Sequence, residues 1–120
     1  MSQGSRFQKI VAEAKSKVAE VAPEEAAERQ RAGAQLIDVR EADEFVKGHA
    51  QGAVHLSKGV LELKIEQIVP NADAPIVCYC GGGSRSALAA ESLQRMGYTN
   101  VASMAGGFKA WQQAGLGISS

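Results

Sequence analysis

The sequence predicts an α/β fold in which a mainly parallel sheet of about five strands carries helices on both faces. Short apolar runs of strand length alternate along the chain with segments whose apolar residues recur every three or four positions. This alternation is typical of βα units, which build parallel sheets that helices cover. With 120 residues and 45% apolar side chains, the chain has the length and composition of one domain with one buried core.

The first predicted element is an amphipathic helix. Its apolar side chains are spaced by three and four positions, which places them on one stripe: Phe7, Ile10, Val11, Ala14, Val18 and Val21. We expect this stripe to pack on the body of the domain, with a partner protein as the alternative. The chain is accordingly divided into an N-terminal amphipathic helical extension, residues 1–19, and a main domain, residues 20–120.

A short edge strand at residues 20–22 and a second helix follow. Pro23 suits the first helical position, the two glutamates after it suit the N-terminal turn, and Gly33 is a natural stop. The stretch QLIDVR then has the pattern of a buried strand that ends in charge. A short helix closed by Gly48 separates it from the next predicted strand, GAVHL.

The second half of the chain continues the alternation. The stretch GVLELKIEQI is assigned to a helix because it follows a Gly-containing loop, although its apolar period fits more than one element. The remaining assignments are a strand, a helix, a strand and a short helix, in the order PIVCYC, SRSALAAESLQRMG, NVASMAG and GGFKAWQQAG. The glycines that end these two helices fit the left-handed position that commonly follows a helix.

Composition excludes several classes of protein. The 13 basic and 13 acidic side chains cancel, which gives no support to nucleic-acid binding. The first residues, MSQGSRFQKI, contain no long apolar run, so we expect neither a secretory signal nor a membrane span. We therefore expect a cytoplasmic protein. There is no Cys-x-x-Cys, and His49 and His55 do not fit a zinc-ligand spacing, so we expect no metal and no cofactor.

The stretch CGGGSR, which follows the apolar run PIVCY, has the features of an anion-binding loop around a reactive thiol. A loop between a strand and a helix presents unpaired N–H groups, and glycine permits both positive φ angles and close approach of backbone. We therefore expect the loop to hold anions through the following residues: Gly81, Gly82, Gly83, Ser84, Arg85 and Ser86. Cys80 would lie at its focus with a lowered pKa, as the nucleophile.

Two sequence blocks resemble signatures of the single-domain rhodaneses, a family of sulfurtransferases. The first is CGGGSRS, which matches the family pattern Cys-x-x-Gly-x-Arg-Ser at Cys80, Gly83, Arg85 and Ser86. The second is LIDVREADEFVKGHAQGAVHL, which matches Asp-Val-Arg-x-x-x-Glu followed by Gly-His-x-x-Gly-Ala. The resemblance covers roughly residues 20–118 and implies the three-layer rhodanese-like fold.

The resemblance also implies a persulfide mechanism. Cys80 would take a sulfane sulfur from a small anionic donor such as thiosulfate and pass it to a thiophilic acceptor. That acceptor is cyanide in an assay, and a small thiol or a protein in the cell. Covalent catalysis is effective because it divides one difficult transfer into two easier displacements. No nucleic acid and no membrane is expected as a partner.

Three alternatives to this activity fit parts of the sequence. A Cys-dependent phosphatase or arsenate reductase uses a similar loop, but that pattern has five residues between Cys and Arg, whereas four separate Cys80 from Arg85. A non-catalytic rhodanese-type interaction module often loses the cysteine, which this chain keeps. A sulfur carrier that needs a partner remains open.

Other polar residues near the predicted site have structural interpretations. Asp38, Arg40 and Glu44 are expected to pair and cap at strand and helix ends. His49 is assigned to a loop hydrogen bond, since an activated thiolate needs no general base. Cys78 shares a strand face with Cys80, yet their Cα atoms would lie roughly 6.5 Å apart in an extended strand, so a disulfide between them is disfavoured.

Overall fold

The computed structural model describes residues 4–120, and the predicted α/β class is confirmed there. The α-helices of this part of the chain are α1 (Arg6–Lys15), α2 (Pro23–Arg31), α3 (Ala42–Val46), α4 (Leu61–Ile68), α5 (Ser84–Arg95) and α6 (Gly107–Gln113), and a 3-10 helix spans Lys58–Val60. The strands are β1 (Ala19–Val21), β2 (Gln35–Asp38), β3 (His49–Ala50), β4 (Val54–His55), β5 (Ile76–Tyr79), β6 (Val101–Met104) and β7 (Ile118–Ser119).

Five of these strands form one parallel sheet. Its order is β1-β6-β5-β2-β4, so β5 lies at the centre between β6 and β2. The carboxyl ends of parallel strands share one edge, where ligands bind in open α/β sheets. Cys80 follows the last residue of β5 and therefore lies in the middle of that edge.

Alternate side chains of the central strand enter two separate cores. Ile76 and Cys78 pack with side chains of α1, α4 and α5 on one face of the sheet. Val77 and Tyr79 pack with side chains of α2 and α6 on the other. All four are 1% exposed or less, as expected for a strand with both faces covered. The three-layer arrangement places Cys80 on the α5 side.

The N-terminal stripe is divided between a helix and a strand. Helix α1 begins with a capping box between Ser5 and Gln8 and ends at Lys15, before the predicted end of the stripe. Residues 19–21 instead form β1, which pairs with β6 at the edge of the sheet. From β1, the side chain of Val21 packs into the core formed with α2 and α6. Pairing with β6 and burial of Val21 therefore stabilise a strand here more than a longer α1 would.

The stripe packs on the domain body through part of its length. Val11 and Ala14 are buried, and α1 lies against α5. Phe7 and Ile10, one turn earlier, remain 46% and 50% exposed. The expectation of packing on the body therefore holds for the second half of α1.

A second, antiparallel sheet lies outside what the sequence predicts. Strands β3 and β7 pair His49 with Ser119 and Ala50 with Ile118. Each has two residues, too few for an alternating pattern to stand out in sequence. The strand predicted at GAVHL is shorter in the structure than in the prediction, since only Val54 and His55 pair with β2.

No helix among residues 4–120 has the length and apolarity that crossing a bilayer requires.

Candidate active site

The turn from β5 into α5 holds the predicted thiol loop. Cys80 leaves the central strand, and α5 begins four residues later at Ser84. Gly83 caps the helix with a φ of 105°, in the left-handed region that favours glycine. A Cβ at Gly83 would lie 3.3 Å from the backbone nitrogen of Gly106, so the space beside this residue is also tight.

The sulfur of Cys80 points into this turn and accepts hydrogen bonds from its backbone. The N–H of Gly83 donates to Sγ at 3.1 Å and the N–H of Ser86 at 3.3 Å. The hydroxyl of Ser86 lies 3.5 Å from the same sulfur. Cys80 is 1% exposed, so these groups replace water around it.

These contacts decide the protonation of the thiol. Burial alone would raise the pKa of Cys80, but the hydroxyl and N–H of Ser86, with the N–H groups of Gly83 and Gly82, favour the thiolate. The net result is a pKa for Cys80 below its ordinary value. A stabilised thiolate is the reactive form of cysteine in nucleophilic chemistry.

The three glycines of the loop differ in backbone conformation. Of Gly81, Gly82 and Gly83, only Gly83 has a positive φ. A Cβ at Gly82 would meet nothing within 4 Å, and one at Gly81 would lie 3.2 Å from Nη2 of Arg85. The loop therefore contains a single left-handed residue, and the start of α5 adds the inward N–H of Ser86.

The start of α6 supports the loop from outside, a role that the sequence alone does not indicate. The N–H of Phe108 donates to the carbonyl of Cys80 at 2.7 Å, and the N–H of Lys109 donates to that of Gly81 at 3.2 Å. Gly106 and Gly107 both have positive φ angles that bring α6 this close. The one sequence feature that could have indicated this role is the pair of glycines before FKAW, which lies far from the loop along the chain.

Arg85 and Glu44 form a two-bond ion pair beside the loop. Nη1 donates to Oε2 at 2.8 Å and Nη2 donates to Oε1 at 3.1 Å. Glu44 is held in place because its Oε2 also accepts the N–H of Glu41 at the start of α3. The predicted anion-binding arginine and the predicted structural glutamate are therefore neighbours, and their charges cancel.

The pair is ionised over a wide pH range. Hydrogen bonding to Arg85 lowers the pKa of Glu44 from 4.5 to about 2, against the opposing effect of burial. The same hydrogen bond raises the pKa of Arg85. Both side chains are about a third exposed, at 34% and 35%, so solvent screens the pair and its contribution to stability is modest.

Replacing Glu44 by glutamine should change the acid dependence of stability. A depressed folded-state pKa stabilises the fold above about pH 4.5 and loses that contribution as the pH falls toward 2. We expect the melting temperature of the wild type to fall more steeply over this interval than that of Glu44→Gln. Asp43→Asn, an exposed change on the same helix, should follow the wild type. Parallel curves for the wild type and Glu44→Gln would contradict the assignment.

Asp38 and Arg40 form a second, buried ion pair. The guanidinium donates to the carboxylate at 2.8 to 3.2 Å, and the N–H of Arg40 donates to it at 2.9 Å. The guanidinium also donates to the carbonyl of Gly48 and lies 4.5 Å from the ring centre of Phe108. Asp38 is 0% and Arg40 6% exposed. These contacts fit the structural interpretation of the pair.

The two histidines make backbone hydrogen bonds. A ring nitrogen of His49 lies 2.9 Å from the carbonyl of Phe45, whose ring it stacks on at 3.7 Å. A ring nitrogen of His55 lies 2.8 Å from the carbonyl of Arg40. The expected hydrogen bond of His49 is present, but it joins β3 to a carbonyl of α3 and not to a loop. Both rings brace the segment that carries Glu44.

Cys78 is as buried as Cys80, but its pKa is shifted in the opposite direction. It is 0% exposed, and burial raises its pKa to about 12. Both cysteines are free thiols on the α5 side of the sheet. Within residues 4–120, no group of three His, Cys, Asp or Glu side chains is arranged to hold a metal ion.

Comparison with known sequences identifies the family of the chain. Residues 22–114 match the family model of the rhodanese-like domain. Thiosulfate sulfurtransferase GlpE of Haemophilus influenzae (strain PittEE) is 38% identical over 99 residues, which cover 82% of this chain and 92% of that protein. An uncharacterised protein of Bacillus subtilis, YqhL, is 41% identical over 87 residues, or 70% of this chain and 68% of that one.

Solved structures show the same fold. A protein of unknown function from Rhodopseudomonas palustris, described as a possible tyrosine phosphatase, superimposes with a TM-score of 0.87 at 32% identity over 99% of both chains. The polysulfide-sulfur transferase homodimer of Wolinella succinogenes gives 0.82 at 28% identity, over 94% of this chain and 86% of that one. Because the family match spans most of the sequence, the chain belongs to the rhodanese-like domain family.

Proposed function

We propose that this chain is a sulfurtransferase that carries a sulfane sulfur on Cys80. The observation that supports this most strongly is the environment of Sγ, which accepts two backbone N–H groups inside a tight loop. Those contacts lower the pKa of the thiol despite its burial. Related chains named thiosulfate sulfurtransferase and polysulfide-sulfur transferase add support from the family.

The proposed reaction has two displacements. The Cys80 thiolate attacks the outer sulfur of thiosulfate, a new S–S bond forms, and the old one breaks as sulfite leaves with its electron pair. The persulfide then presents that sulfur to cyanide in an assay, or to a small thiol or protein in the cell. Attack by cyanide forms thiocyanate and returns the thiolate. Inward N–H groups stabilise negative charge on sulfur at both stages.

In this proposal Cys80 is the nucleophile and the loop from Gly81 to Ser86 surrounds the donor. Because Glu44 neutralises Arg85, backbone N–H groups rather than net positive charge provide most of the attraction for a donor. Arg85 then acts by shaping the wall of the loop and by direct hydrogen bonding when a donor competes with Glu44. Such a loop would bind thiosulfate and would bind equally well a donor whose charge is small or lies far from the transferred sulfur.

A phosphatase is the second candidate, because the R. palustris neighbour is described as a possible tyrosine phosphatase. Four residues separate Cys80 from Arg85 in this chain, one fewer than the phosphatase pattern. A shorter loop encloses a single sulfur more closely than a tetrahedral phosphate ester.

Turnover measurements separate the two candidates. We expect thiocyanate formation from thiosulfate and cyanide, and no hydrolysis of p-nitrophenyl phosphate. Cys80→Ser should abolish thiocyanate formation, while Cys78→Ser, the matched change at the buried thiol, should preserve it. Phosphate release that exceeds transfer from every sulfur donor would support the phosphatase instead. A persulfide that forms but passes sulfur only to a protein acceptor would indicate a partner-dependent carrier.

A further inference from the structure

Ser103 is a buried polar side chain to which the proposed reaction assigns no role. It lies on β6, level with Cys78 of β5, and is 0% exposed. Its Oγ is 2.8 Å from Oγ of Ser86, which in turn is 3.5 Å from Sγ of Cys80. Ser86 is also 0% exposed. The three side chains form one buried row that ends at the reactive sulfur.

The direction of the hydrogen bonds follows from counting donors and acceptors. Within residues 4–120, the hydroxyl of Ser103 has one hydrogen-bond partner, Ser86. If Ser86 donated to Ser103, the hydrogen of Ser103 would be buried without an acceptor, which is costly. Ser103 therefore donates to Ser86. When Cys80 is a thiolate it has no hydrogen to donate, so the hydrogen of Ser86 points at the sulfur.

We propose that Ser103 is a positioning residue that holds the Ser86 hydroxyl toward Cys80 Sγ and so favours the thiolate. The proposal rests on the proposed function, in which Cys80 is the reacting atom. A hydroxyl that accepts one hydrogen bond donates a stronger one, because neighbouring bonds polarise each other. No proton travels along the row: both serines keep theirs, and the thiol proton leaves to solvent.

Other groups that affect the charge on Cys80 stay constant when Ser103 is changed. They are Cys78 on β5 and Arg85 on α5, which is paired with Glu44 on α3. Lys109 on α6 meets the loop through its backbone N–H alone. Strand β6, VASM, carries no ionisable side chain. A substitution at Ser103 therefore alters the hydroxyl row without removing a charge.

The rate of alkylation by iodoacetamide, measured against pH, reports the thiolate directly. We expect Ser103→Ala to raise the midpoint of this profile by about half a pKa unit. Ser103→Thr, which keeps the hydroxyl, should retain the wild-type midpoint. Ser92→Ala, a partly buried serine of α5 outside the row, should leave it unchanged. Circular dichroism melts check that each variant is folded, and a Thr variant that shifts as much as Ala would overturn the proposal.

A double-mutant cycle tests whether Ser103 acts through Ser86. In a Ser86→Ala background, Ser103→Ala should add no further shift, because the intermediate hydroxyl is gone. An equal shift in both backgrounds, or no shift in either, would contradict the proposal. Alkylation does not depend on sulfur transfer, so failure of Cys80 to accept sulfur would defeat the proposed function while leaving this measurement interpretable.

Discussion

Asp38→Ala is expected to lower the free energy of unfolding by about 3–5 kcal/mol, the range typical of breaking a buried ion pair by removing one partner. The change removes the carboxylate that accepts both the guanidinium and the backbone N–H of Arg40. Arg40 is 6% exposed and would be left as a buried charge with the carbonyl of Gly48 as an acceptor. A domain has about 5–15 kcal/mol of stability in total, so a large share would be lost.

Urea denaturation measures this loss, provided that the slope of the transition is unchanged. Asp38→Asn keeps an acceptor oxygen in the same place and should lose less than Asp38→Ala. Asp43→Asn, at an exposed position of α3, is the surface control and should remain within about 0.5 kcal/mol of the wild type. If Asp38→Ala also remained that close, the buried pair would not have the structural role assigned to it.

Gly107→Ala is expected to reduce sulfur transfer by about 100-fold or more, since small displacements of a reacting group have effects of that size. A Cβ at Gly107 would collide with the carbonyl oxygen of Cys80 and lie 2.6 Å from the carbonyl carbon of Gly81. Both obstacles are backbone atoms and cannot rotate away. Either the loop or α6 must move, and the hydrogen bond from Phe108 to Cys80 would be strained or lost.

Gly115→Ala provides a matched control at the other end of α6. Gly115 also has a positive φ, 73°, but a Cβ there would meet nothing within 4 Å. That change should cost about 1–2 kcal/mol of stability from backbone strain and leave transfer intact. If Gly107→Ala retained wild-type transfer, or if both variants lost it equally, support of the loop by α6 would not explain the site.

The sheet and the position of Cys80 at its edge could be predicted from the sequence because both depend on local signals. PIVCYC is a central strand by composition, and its position before three glycines and a helix places Cys80 at the sheet edge. The pairing of Arg85 with Glu44 could not be predicted in this way, since it joins residues 41 positions apart. Local sequence patterns assign Arg85 to anion binding and Glu44 to a structural charge, and neither pattern indicates that the two side chains pair.

Ser103 and Gly107 escape sequence reasoning for a similar reason. Neither belongs to a local pattern that indicates chemistry: a serine in a buried strand and a glycine at a helix start are ordinary features. The contacts on which their proposed roles rest form only when β6 and α6 lie beside the thiol loop. The edge strand predicted at residues 20–22 is present as β1 at residues 19–21. Helix α1 ends earlier than its apolar stripe, at Lys15, because apolar spacing alone does not fix the last residue of a helix.

The most direct test of sulfur transfer through Cys80 is the intact mass of the protein after incubation with thiosulfate and removal of excess reagent. We predict a gain of one sulfur atom per chain, located on Cys80 by peptide mapping and removed again by cyanide. Cys80→Ser should gain nothing, and Cys78→Ser should gain as much as the wild type. A sulfur that added equally to Cys80→Ser, or no adduct from thiosulfate, a polysulfide or an organic persulfide, would contradict the proposed role of Cys80.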